Sequence, residues 1–193
     1  MTTQKYNKNR LNRKSVSRTY LTEGEIDRLD KLYHSGKLKT EAKNALKCFL
    51  FCCETGLRYC DARDLKHYDV YYQVVNGKTV ASIMIIQDKI QKHLVIPLTD
   101  KACKLVDKGP QYQKVFRFPA IQVMNWHLCA IAKLAWIDKP VTFHIARQTF
   151  MARCLSLGMP AKLVSDLLGH TPVKTTNVYA VSNGNTMERR IHV

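Results

Sequence analysis

The chain has 193 residues, 46% of them hydrophobic, which suffices for one sizeable core and is too little for two comfortable domains. A formal net charge of +16 makes a polyanion the expected partner, with nucleic acid ahead of an anionic membrane surface. The amino terminus lacks the apolar stretch of a secretory leader and no apolar run approaches about 18 residues, so neither that export route nor a membrane span is expected.

Residues 1–19 carry Lys5, Lys8, Arg10, Arg13, Lys14 and Arg18 with no acidic residue, and read as a basic, flexible, Asn-rich arm. Two roles suit such an arm, a solubilising tail or a grip on DNA. The folded domain is expected over 20–193. It opens at Thr22-Glu-Gly-Glu25, a capping-box pattern that starts a helix with Ile26, Leu29 and Leu32 on one face. A second helix, 40–54, is apolar on most sides and is expected to be buried; it stops at Thr55-Gly56, where glycine can take the left-handed cap conformation. Two β-rich runs, Val70–Val75 and Thr79–Ile86, flank Asn76-Gly77, a hairpin signal, and Leu94–Pro97 supplies a third strand, with Lys89 and Lys92 in the second turn. Helical patterns follow at 99–107, 120–136, 143–157, 160–168 and 173–180, with Pro160 suited to a first helical position. The expected fold class is α+β, mainly α, with a small three-stranded antiparallel sheet.

Cysteines stand at 48, 52, 53, 60, 103, 129 and 154. Their number is odd and most occupy apolar positions of helical patterns, which favours free thiols packed as small hydrophobes in a reducing compartment over disulfides. No Cys-x-x-Cys pair occurs, and neither a metal nor a cofactor is expected.

The chemistry-bearing residues suit cleavage of a phosphodiester without a metal. That reaction needs a nucleophile, cations on the non-bridging oxygens and an acid for the leaving oxygen. Arg58 and Arg147 offer planar, permanently charged forks for phosphate. Tyr179 can serve as nucleophile once a neighbouring base or cation helps, since its hydroxyl has a pKa of about 10. Each residue also has an ordinary structural reading: Arg58 as a cation at a helix end, Lys89 and Lys92 as turn charges, His144 as a buried and satisfied histidine, His170 as a helix-terminal ligand, Tyr179 as a core aromatic.

Taken together and in order, Thr-Gly-Leu-Arg58-Tyr-Cys-Asp61, Lys89 eight residues before Pro97, His144-Ile-Ala-Arg147, Leu-Leu-Gly-His170 and Tyr179 resemble the catalytic domain of the tyrosine recombinase, or phage integrase, family over residues 20–182. The resemblance implies that Tyr179 attacks the scissile phosphate to form a 3′-phosphotyrosyl intermediate. Arg58 and Arg147 would clamp the phosphate, Lys89 would protonate the departing 5′ oxygen, His144 and His170 would assist proton transfer, and Asp61 would orient its neighbours. It further implies double-stranded DNA as substrate, a homotetramer on DNA, possible DNA-bending accessory proteins and action in the bacterial cytoplasm. Gln148 departs from the histidine that often follows the second arginine, and the basic arm stands where the family usually has a core-binding domain. The layout is therefore similar either to a catalytic fragment of a larger integrase or to short invertases. Two rival functions remain open, a DNA-binding remnant or competitor that no longer cuts, and a type IB topoisomerase.

Overall fold

The computed structural model describes residues 20–75, 77–87 and 92–169, with the side chains of 87, 92 and 93 left aside. Lys89, His170, Tyr179, the arm residues Lys5, Lys8, Arg10, Arg13, Lys14 and Arg18, and the helical pattern at 173–180 lie outside the described residues.

Helix α1 (Glu23–His34) begins at the capping box anticipated from sequence. The Thr22 hydroxyl accepts from the Glu25 amide at 3.3 Å, and the Glu25 carboxylate accepts from the Thr22 amide at 2.7 Å. Ile26 and Leu29 enter the core and Leu32 packs against it. Helix α2 (Thr40–Thr55) is the central element, packed against α1 and three later helices, and its buried face includes Leu46, Phe49, Phe51 and Cys53. It ends on Gly56 at φ 68°, whose amide donates to Cys52 O at 2.9 Å. Position 56 also demands glycine for space: a Cβ there would meet Phe150 Cδ1 at 2.5 Å and Leu168 Cδ2 at 2.8 Å.

A short helix, α3 (Tyr59–Asp64), follows at once, and a 3-10 turn at His67–Asp69 leads into the sheet. The sheet is antiparallel in the order β1 (Val70–Val75), β2 (Lys78–Gln87), β3 (Lys92–Pro97), with Val70 opposite Ile83 and Ile83 opposite Ile96. Those three residues share the core face, while Tyr71, Met84 and Val95 alternate onto the exposed one. Helix α4 (Asp100–Leu105) is capped by the Thr99 hydroxyl, which accepts from the Ala102 amide at 3.1 Å. Helices α5 (Ile121–Leu134), α6 (Phe143–Ser156) and α7 (Ala161–Leu167) complete the described fold.

An aromatic cluster joins α3 to α6: the Tyr59 ring lies edge-on to Phe118 and Phe143, each with centroids 5.4 Å apart, and its hydroxyl donates to Pro119 O at 2.5 Å. A second apolar cluster, Met151, Cys154, Leu155, Val164 and Leu168, fastens α7 beneath α6.

The mainly helical architecture with its three-stranded sheet matches expectation, and two details, helix α3 and the place of Pro160, add to or correct it. Helix α3 carried no separate expectation, because six residues are too few to display a period. Pro160 is the N-cap of α7 instead of its first helical residue; its ψ of 135° is extended, and its carbonyl accepts from the Val164 amide at 3.1 Å. Cys48, Cys52, Cys53 and Cys154 are buried, as the apolar pattern requires, but Cys60 and Cys129 lie on the outward faces of α3 and α5 and are exposed. Burial pushes the Cys48 thiol up to about 12, which keeps it protonated and inert. Among the described residues no helix is long and apolar enough to cross a membrane.

Candidate phosphate site

Arg58 is the N-cap of α3, placed there because the left-handed Gly56 turns the chain sharply out of α2 and Leu57 dives into the core. Its backbone is extended (φ −71°, ψ 157°), its carbonyl receives the Ala62 amide at 2.9 Å, and its Nη2 donates to Gly169 O at 3.4 Å. Arg147 comes from the second turn of α6. Its Nη1 donates to Gly56 O at 2.7 Å and its Nη2 to Leu168 O at 2.5 Å. Two arginines separated by most of the domain thus converge on consecutive carbonyls, those of residues 168 and 169, directly before His170 in the chain.

The electrostatics follow from that convergence. Burial, reinforced by the Arg58 charge, lowers the Arg147 guanidinium to about 10, while the Asp61 carboxylate pulls the other way. At neutral pH the group remains protonated. Two cations in a half-buried recess with one carboxylate beside them leave positive charge that an anion would neutralise. Two Arg147 donors are committed to carbonyls that fix the fork in place.

His144 lies one turn before Arg147 on α6, a spacing that puts both on the same side of the helix, and it is exposed. The buried-histidine reading is therefore overturned. The start of α6 is held by Asn125, whose side-chain oxygen accepts from the Phe143 amide at 2.8 Å. Asp61 sits in the first turn of α3. The structure therefore brings together Arg58, Arg147 and Asp61, with His144 on the adjoining helix turn. Lys92 opens β3 opposite Gln87, and Lys89 belongs to the 88–91 connection between β2 and β3. An open cleft of about 680 Å³, lined by Asp64, Tyr68, Tyr71, Met84 and Lys114, includes Asp61 and, among the described residues, no other candidate.

Sequence reasoning missed the carbonyls of Gly56, Leu168 and Gly169 as the acceptors that seat the arginines. Main-chain acceptors leave no side-chain signature, although the glycines at 56 and 169, at φ 68° and 61°, mark where the backbone turns toward them.

This arrangement is the fold of tyrosine recombinase catalytic domains. The XerH site-specific recombinase in its pre-cleavage complex with difH substrate superposes with a TM-score of 0.67 at 16% identity, over 91% of this chain and 54% of that one. The catalytic domain of bacteriophage HP1 integrase superposes with a TM-score of 0.61 at 18% identity, over 90% of this chain and 95% of that one. The chain belongs to the phage integrase family, whose model matches residues 19–185. Tyrosine recombinase XerD of Listeria innocua is 29% identical over 147 residues, covering 65% of this chain and 46% of the relative. A tyrosine recombinase of Thermosipho africanus is 25% identical over 169 residues, covering 83% and 56%. The chain spans about half the length of these relatives.

Proposed function

We propose that the protein is a site-specific DNA recombinase that cuts and rejoins strands through a 3′-phosphotyrosyl intermediate. The observation that carries this reading is the paired Arg58 and Arg147, converging beside Asp61 and His144 with excess positive charge in a partly buried recess. In this mechanism the two forks hold the non-bridging oxygens of one phosphodiester and stabilise the charge that grows on them in the transition state. The Tyr179 oxygen attacks phosphorus, the bond to the 5′ oxygen breaks, and Lys89 gives that oxygen its proton. His144 and His170 assist proton transfer, and Asp61 orients the arginines. The phosphodiester energy is kept in the tyrosyl ester, so a second strand's 5′ hydroxyl can reverse the step and complete an exchange.

The DNA complexes among the structural relatives, such as XerH with difH and the Tn1549 integrase with circular-intermediate DNA, support double-stranded DNA as the substrate. Exchange between two duplexes calls for four copies on the DNA, and bending proteins would help bring the sites together. The bacterial origin of relatives such as XerD favours action in a bacterial cytoplasm. The basic residues Lys5, Lys8, Arg10, Arg13, Lys14 and Arg18 are proposed to add non-specific grip on the backbone.

The test uses nicked suicide duplexes built from the repeats flanking the gene, incubated with the wild type and with Tyr179→Phe. A denaturant-resistant adduct with the wild type alone is expected. Binding with no adduct would favour the non-cutting DNA-binding protein, and sequence-independent plasmid relaxation would favour the topoisomerase.

A further inference from the structure

Glu54 is a charged residue in the largely buried helix α2, only 6% exposed at its side chain, and both of its oxygens are occupied. Arg153 Nη1 donates to Oε1 at 2.6 Å, and the Thr99 hydroxyl donates to Oε2 at 2.8 Å. The same arginine reaches Glu23 at the start of α1, Nε to Oε1 at 2.6 Å. Burial would lower the Arg153 pKa, yet Glu54 and Glu23 overcome it and hold the group above its ordinary value.

The chain positions of these partners give the cluster its meaning. Glu54 lies four residues before Arg58, in the last turn of α2. Arg153 lies six residues after Arg147 on α6. Thr99 follows β3 by two residues, and β3 is the strand entered from the 88–91 connection that contains Lys89. One carboxylate therefore joins the end of α2, just before Arg58, to α6, which carries Arg147, and to the cap of α4, which follows β3. Helix α6 grips the end of α2 twice, with Arg147 on the Gly56 carbonyl and Arg153 on the Glu54 carboxylate.

A buried ion pair is a poor source of net stability, because desolvating the charges offsets much of their attraction. What it supplies is geometry. Apolar side chains such as Phe49 and Phe143 tolerate a small slide of one helix on another, whereas a carboxylate held from two sides fixes the register or is left with an unmatched charge.

We propose that Glu54 and Arg153 are positioning residues that set the approach of α6 and of the α4 cap to the end of α2, and so the spacing of Arg58 and Arg147 on the phosphate. The proposal rests on the reading of those arginines as the phosphate clamp. Its signature is a loss of rate at saturating DNA with little loss of affinity, since neither residue belongs to the proposed clamp.

The experiment measures single-turnover adduct formation on the nicked duplexes, and duplex affinity by fluorescence anisotropy at fixed salt, well below every variant's melting temperature. The variants are Glu54→Gln, Arg153→Met, Arg153→Lys and the double Glu54→Gln/Arg153→Met. Lys139→Met serves as control, because it removes a partly buried ion pair, Lys139 to Glu25 at 2.8 Å, that includes neither Glu54 nor Arg153. Glu54→Gln and Arg153→Met are expected to slow adduct formation about tenfold or more while affinity changes less than about threefold. The double variant should be no slower than the slower single one, because both substitutions break the same link. Arg153→Lys should recover part of the rate, and it is the informative variant should the others fail to fold. The control should keep its rate. Rates within about twofold of wild type in Glu54→Gln or Arg153→Lys, or an equal slowing in the control, would overturn the positioning role and leave the clamp reading intact. A wild type that forms no adduct would overturn both.

Discussion

Replacing Gly56 by alanine should loosen the junction that α2, α6 and α7 share. Two costs combine. At φ 68° a residue with a Cβ loses about 1 kcal/mol relative to glycine from backbone strain alone. The new methyl would also stand 2.5 Å from Phe150 Cδ1 and 2.8 Å from Leu168 Cδ2, an overpacking that costs about 1–3 kcal/mol in a filled core. The total is about 2–4 kcal/mol. Gly36→Ala isolates the first cost, since Gly36 has φ 72° and nothing lies within 4 Å of where its methyl would stand. For a domain of this length each 1 kcal/mol moves the melting temperature by about 2–4 °C, so Gly36→Ala should lower it by about that much and Gly56→Ala by at least about twice as much. Calorimetry on both proteins decides the matter. Equal losses would refute the close packing of α6 and α7 around the end of α2, and with it the account of how the Gly56 carbonyl seats Arg147.

Arg147→Lys keeps a charge and gives up the planar fork that holds the Gly56 and Leu168 carbonyls together; urea unfolding should show a loss of about 1–3 kcal/mol, and DNA cleavage should fall even at saturating DNA. Trp136 is a non-glycine residue at φ 54° just past α5 and is 87% exposed, so Trp136→Gly should raise stability by about 1 kcal/mol in the same assay; a loss would mean that the ring makes a stabilising contact. Glu25 gives a pH dependence of definite sign. Burial raises its pKa, but Lys139 and the Thr22 hydrogen bonds outweigh it and leave the group below 4.5, so its contribution is present above that pH and is lost as the pH falls through the lowered value. Wild type and Lys139→Met should therefore differ in urea midpoint at pH 7 and draw together as the pH falls through the lowered Glu25 value, and a constant difference would contradict the pairing.

Much of this architecture was legible in the sequence because its signals are local. The Thr22–Glu25 capping box, the Gly56 stop and the β-rich run Val70–Val75 each report on neighbouring residues, and each stands where it was expected. The order of motifs pointed to the family, and among the described candidates the structure gathers Arg58, Asp61 and Arg147, with His144 on the same side of α6 as Arg147. What sequence could not supply depends on distant contacts. Nothing at Gly56 or Leu168 announces that its carbonyl will receive Arg147, and Arg153 meets Glu54 only because α6 crosses the end of α2. Glu54 did leave a trace, a carboxylate inside an otherwise apolar run, the kind of local inconsistency that a buried partner resolves.

The central claim is that a tyrosine of this chain becomes joined to the 3′ side of a cut strand. The most direct measurement is protease digestion of the trapped adduct formed on a nicked duplex, followed by mass spectrometry of the nucleotide-bearing peptide. The expected product is a peptide containing Tyr179 with the phosphate linking its oxygen to a 3′ nucleotide end. A linkage through any other residue, or to a 5′ end, would contradict it.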